Sequence, residues 1–153
     1  MSPHAVTLRG ALPYALAIAL GAVFLYAGID KVRDPLHFAD SINGFAILPY
    51  ALIDVLALAL PVYEIICAGL ILLPPTRRVG SLALLLASAM FFFALLSALL
   101  RGLTLDCGCF GNSAPSRPRM WAELGLDALL VSGTAGLYFH SLFKPSRASR
   151  ADT

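Results

Sequence analysis

Charge is scarce in this chain. Asp, Glu, Lys and Arg make up 13% of its 153 residues, against 59% hydrophobic residues and a mean hydropathy of +0.81. A soluble domain of ordinary usage is about one quarter charged, so the balance excludes that class. No segment between the apolar runs is long enough for a separate soluble domain, and there is no internal repeat. The only biased stretch is the Ser/Arg-rich tail, residues 145–153. A formal net charge of +2 marks no nucleic-acid partner. The first apolar run has no small-x-small cleavage site and exceeds the apolar core of a secretory signal, so it reads as a retained segment.

Four long apolar runs occupy residues 11–29, 51–73, 79–100 and 120–143. Each approaches the roughly 20 residues a helix needs to cross ~30 Å of hydrocarbon. The expectation is an all-α protein: an integral membrane four-helix bundle, one domain over residues 1–153, with lipid as its surroundings. An even number of spans puts both termini on one side. That side carries Arg9, Arg77, Arg78, Lys144, Arg147 and Arg150, and the other carries Lys31, Arg33, Arg101, Arg117 and Arg119. A margin of six to five barely orients the chain.

Between the first two runs, Asp34 reads as an N-cap with Pro35 at the first helical position. Leu36, Ala39 and Ile42 follow at helical spacing, and Gly44 is placed to close the helix in a left-handed conformation. A short interfacial helix is expected there, on the face of the membrane that carries the loop containing residues 106–111.

Ionisable residues inside apolar runs are costly and need interior partners. Glu64 lies mid-span after Pro61 and Tyr63, with Cys67 one turn further on the same face. Read alone, Glu64 is expected to be buried and to hold its proton at neutral pH. Glu123 and Asp127 are four apart, hence also on one face, and Asp54 enters the second run from the loop side. Lys31, Tyr63, Glu64, Cys67, Glu123 and Asp127 form a candidate proton path or ligand pocket. The alternative is that each carboxyl only bonds a neighbouring helix.

The most distinctive motif is Asp106-Cys107-Gly108-Cys109-Phe110-Gly111, in the polar link before the last run. A disulfide between residues i and i+2 closes a very small ring, and strain of that kind makes a bond labile rather than structural. Arg101, Arg117 and Arg119 favour a thiolate nearby, whereas Asp106 opposes it. A structural pair is the plain alternative. Metal capture by this pair needs Cys67 or His140, yet one lies deep in the second run and the other near the opposite membrane face, so no metal is expected. A working disulfide is most useful outside the reducing cytosol. This places the loop outside a plasma membrane and both termini in the cytoplasm.

The chain resembles the MauE and DoxX-like family of small four-helix membrane proteins. The likeness lies in Ala27-Gly28-Ile29-Asp30-Lys31 with Asp34-Pro35 and Phe38, in Leu60-Pro61 with Glu64 and Gly69, and in Cys107-Gly108-Cys109-Phe110-Gly111. It implies a plasma-membrane protein of extracytoplasmic redox processes. In the MauE branch it implies maturation of a disulfide-rich, methylamine-oxidising enzyme. The resulting expectation is thiol–disulfide exchange through Cys107 and Cys109 with a thioredoxin-like or secreted cysteine-containing partner. A quinone among Phe91, Phe92, Phe93, Tyr63 and Glu64 is a candidate electron acceptor, although three consecutive phenylalanines point three ways around a helix. Two other classes stay open: a non-catalytic assembly subunit, and a small-molecule carrier built on Lys31, Glu64 and Asp127.

Overall fold

The computed structural model describes residues 3–105 and 116–143, with side chains from residue 12 onward. Among these residues there are five α-helices and no strand: α1 (Pro3–Arg33), α2 (Pro35–Gly44), α3 (Tyr50–Leu72), α4 (Arg77–Leu100) and α5 (Arg117–Phe143). Three are long and apolar enough to cross a membrane: Leu12–Arg33 of α1, all of α3, and all of α4. α5 has the length, at 27 residues. Its apolar stretch is diluted by Glu123, Asp127, Ser132, Thr134 and His140, so it falls outside that group. The four expected runs lie within helices except for Leu73, the extended residue that follows α3, and α1 continues through Lys31 to Arg33, past the expected end at residue 29.

α2 forms where Asp34 and Pro35 predicted it. The Asp34 carboxylate accepts the backbone N–H of His37 at 3.1 Å, satisfying one of the donors a helix start leaves open. Its buried face is Phe38, Ser41 and Ile42, whereas Leu36 is among the most exposed side chains. Gly44 is not the left-handed residue: Phe45 continues the right-handed path, and Ala46 turns over at φ 50°. The turn is held from outside, because the Arg101 guanidinium donates to the Phe45 carbonyl.

α1 packs along α3, α3 along α4 and α4 along α5, while α5 returns to α1, and α2 lies chiefly on α3. Small residues set the close approaches, as expected where van der Waals packing rather than water drives association. A Cβ on Gly28 would come within 2.8 Å of Ile65 and 3.1 Å of the Pro61 carbonyl. One on Gly21 would meet Leu72 at 3.1 Å. Position 21 faces 72 and position 28 faces 61 to 65, so α1 and α3 are antiparallel. The outward surfaces of α1, α3 and α4 carry large apolar side chains such as Leu12, Leu58 and Leu86, as lipid contact requires.

Inside, the apolar core is interrupted. One cluster gathers Ala17, Leu20, Ile71, Leu84 and Leu137. Two others lie towards the α2 end, one around Phe45, Leu95 and Met120 and one around Phe38, Ile42 and Ile53. Along α4, Ser88 falls between Leu84 and Leu95; along α3, Glu64 falls between Ala57 and Ile71. A polar level is therefore sandwiched between apolar ones.

The α3–α4 corner is a close contact made against backbone. A Cβ on Gly80 would stand 2.9 Å from the Ile71 backbone nitrogen, which cannot yield as a flexible side chain would. Gly80→Ala is expected to lower stability by about 1–3 kcal/mol through overpacking. Gly69→Ala, with nothing within 4 Å of the new methyl group, is expected to be neutral or to add up to about 1 kcal/mol of helix propensity. Unfolding of the two variants in detergent micelles checks both signs.

Candidate functional site

Glu64 sits at the middle of α3 with 1% of its surface exposed, and Lys31 in the last turn of α1 with 3%. Helical side chains lean towards their own N-terminus, so Lys31 reaches back along α1 to the level where Gly28 brings the two backbones together. Its Nζ donates to Glu64 Oε2 at 2.8 Å. The ammonium also stands 5.0 Å from the Phe91 ring centroid and 5.4 Å from that of Phe38, within cation–π range. One cation thus joins α1, α2, α3 and α4.

Asp127 approaches the same level from α5. It is 6% exposed and makes no hydrogen bond to a described residue. Asp127, Glu64 and Ser88 line one small cavity together with Val23, Phe24 and Phe91. Its volume of about 20 Å³ is room for a single water. Ser88 spends its hydroxyl proton within α4, donating to the Leu84 carbonyl at 2.8 Å.

The remaining candidates divide. Glu123, one turn before Asp127 on α5, is buried and takes the Arg119 Nε at 2.9 Å, while its Oε2 has no partner among the described residues. Tyr63 is turned away from the cavity: its hydroxyl donates to the Ala83 carbonyl of α4 at 3.0 Å. Cys67 is buried and unbridged in the apolar cluster with Phe24, Ala68 and Leu84. Asp54 is exposed on α3, outside the buried level. The quinone set is not brought together, since Tyr63 and Phe93 face outward while Phe91 and Glu64 face in. Cys107 and Cys109 lie outside the described residues.

Lys31, counted among the loop charges and also placed in the candidate pocket, is buried, so it drops out of the count used to orient the chain. Glu64, expected to be buried, is buried, and the structure gives it the Lys31 ammonium as a partner. Phe38 and Phe91, which flank the cation, were legible only as apolar positions. Arg77, another apparent loop charge, is also buried: its Nε donates to the Ile71 carbonyl at 3.0 Å and its guanidinium lies 4.4 Å from the Tyr14 ring centroid.

The stems of the link that carries Cys107 and Cys109 are described on both sides. The Leu105 N–H points at Met120 Sδ, 3.3 Å away. Leu103 and Leu105 pack with Met120, Leu99 and Phe45 in one cluster. Residues 105 and 120 are therefore held together, at the end of the molecule where α2 meets α3.

Apolar helices around a buried ion pair and an interior carboxyl define an all-helical membrane protein. The family described as methylamine utilisation protein MauE matches residues 9–140, and methylamine utilization protein MauE of Paracoccus denitrificans is 36% identical over 132 residues, covering 81% of this chain and 69% of its own. The chain belongs to the MauE family. No solved structure matches it.

Removing one member of a buried pair leaves an uncompensated charge, at a typical cost of about 3–5 kcal/mol. Lys31→Met is expected to destabilise by that order, and Lys31→Met combined with Glu64→Leu to recover most of the loss. Chemical unfolding of the single and double variants in micelles measures the non-additivity.

Proposed function

We propose that this protein is a membrane-embedded thiol–disulfide exchange protein, in which Cys107 and Cys109 support redox maturation of a partner protein. The observation that carries the reading is the Cys107-Gly108-Cys109 sequence, borne on a link whose stems close on each other through Leu105 and Met120. The family suggests the process, because the Paracoccus relative is by its printed name a methylamine utilization protein. We place the partner in the same process.

In this reading α5 is the fourth span, completing a four-helix transmembrane bundle in the plasma membrane. Its charges do not bar it: Glu123 is matched by Arg119, and Asp127 faces the interior. α2 lies at the interface on the side of the cysteine link. The termini are cytoplasmic and the link is extracytoplasmic, where a disulfide persists.

The exchange balances without a cofactor. A thiolate of the partner attacks one sulfur of the Cys107–Cys109 disulfide, forming a mixed disulfide and releasing the other cysteine as thiolate. A second partner thiolate then displaces the bound cysteine. The partner leaves with a new disulfide, oxidised by two electrons, and the pair is left as a dithiol. A thioredoxin-like disulfide reoxidises it by the same steps in reverse, the direction being set by relative potentials.

Cys107→Ser with Cys109→Ser is expected to abolish partner oxidation while leaving the helices assembled. Either single variant keeps a thiolate that attacks a disulfide of the oxidised partner, releasing a partner thiolate, and has no neighbouring cysteine to resolve the bond; the resulting covalent adduct is expected to be removable by reductant and identifiable by mass spectrometry. Full activity in the double variant overturns the reading and favours an assembly subunit or a carrier.

A further inference from the structure

Around the interior cavity the charges do not sum to zero, because the other buried cation, Arg77, is engaged away from it with the Ile71 carbonyl at the α3–α4 corner. Lys31 and Glu64 neutralise each other at 2.8 Å, and Arg119 and Glu123 do so at 2.9 Å. Asp127 is the carboxyl left over, 6% exposed and hydrogen-bonded to no described residue. It opens onto the water-sized cavity it shares with Glu64. The charged groups that act on it are Lys31 of α1, Glu64 of α3 and Glu123 of its own helix. α4 contributes Ser88 and Phe91 to the cavity and no ionisable group. An isolated carboxylate here would cost several kcal/mol, so one further positive charge must accompany it.

The cavity selects which charge. Apart from Glu64, Asp127 and Ser88 its walls are Val23, Phe24, Ala27, Phe91 and Leu130. A hard metal cation takes about six oxygen ligands, and these walls do not supply them. A proton needs one oxygen. We propose that the Lys31–Glu64–Asp127 group is a binding site for a single exchangeable proton, with Asp127 as the carrier and the Lys31–Glu64 pair as its fixed counter-charge.

The structure also provides an entry side. Glu123 stands one helical turn from Asp127 towards the cysteine-bearing link, and its Oε2 is a buried oxygen without a partner among the described residues. Uptake forms an O–H bond on the Asp127 carboxylate, using a proton delivered from water past Glu123. Release breaks that bond and returns the proton to water. Ser88 does not compete, because its own proton is engaged with Leu84. This assignment does not rest on the cysteine chemistry.

Infrared spectroscopy of the full chain in lipid vesicles tests it, with carbon-13 placed at the side-chain carboxyl of aspartate in one sample and of glutamate in another. At neutral pH a protonated-carboxyl band is expected that shifts down with labelled aspartate, shifts again in deuterated water, and is lost in Asp127→Asn. In Glu64→Gln the ammonium has one carboxylate left to face, and the aspartate band is expected to give way to ionised carboxylate. A role in packing alone would not produce that conversion. No aspartate-sensitive band in the unmodified protein, a band that follows labelled glutamate, or a band that persists in Asp127→Asn overturns the proposal. If Asp127→Asn does not fold, the labelled unmodified protein decides alone. The double cysteine variant is expected to keep the band, so this proposal and thiol exchange fail separately.

Discussion

A charge cannot sit in a hydrocarbon-like interior without its opposite, and the Lys31–Glu64 contact is how this bundle meets that constraint. The idealised cost of stripping water from either ion is far larger than the net stability of a domain. The two must therefore arrive in the same place, desolvate together and stay in contact. Gly28 makes this possible by letting the α1 and α3 backbones close on each other beside Pro61 and Ile65. Phe38 and Phe91 then wall the ammonium with ring faces rather than water. Apolar clusters flank the level on both sides.

Much of this was legible in residue order. The apolar runs located every long helix, and the Asp34-Pro35 pair located α2, because capping and ring geometry are local properties. Burial of Glu64, Glu123 and Asp127 followed from the cost of exposing carboxylates to lipid. The pairing did not follow. Lys31 follows Asp30 and precedes Val32 and Arg33, a local run of charge that also suits a loop, so residue order allowed both a loop and a pocket position; the continuation of α1 past residue 29 places it inward. Tyr63 and Cys67 were grouped with Glu64 by helical spacing alone, yet they lie on the flanks of the interior face, where a difference of one position decides between cavity, apolar cluster and neighbouring carbonyl. The left-handed turn at Ala46 rather than Gly44 is likewise set from a distance, by Arg101 holding the Phe45 carbonyl.

The molecule separates two kinds of chemistry. At one end, closed stems present a link whose cysteines give it a covalent vocabulary. In the interior, ionised and polar groups are walled off by aliphatic and aromatic side chains, with space for no more than a water. In the thiol-exchange function proposed above, the link serves a protein partner, whereas the cavity is too small to admit one. Glu123 and Asp127, spaced one turn apart on α5, are the polar residues that run from the first region towards the second.

The buried pair also bears on how such a chain enters a bilayer. Glu64, in the middle of α3, raises the insertion cost of that helix by a few kcal/mol if it is threaded alone, whereas Lys31, near the end of α1, can hold its ammonium close to the headgroups while it waits. Because α1 precedes α3 in synthesis, the cation is available when the acidic helix leaves the translocon. The order of the helices thus lets the first segment escort the second into lipid.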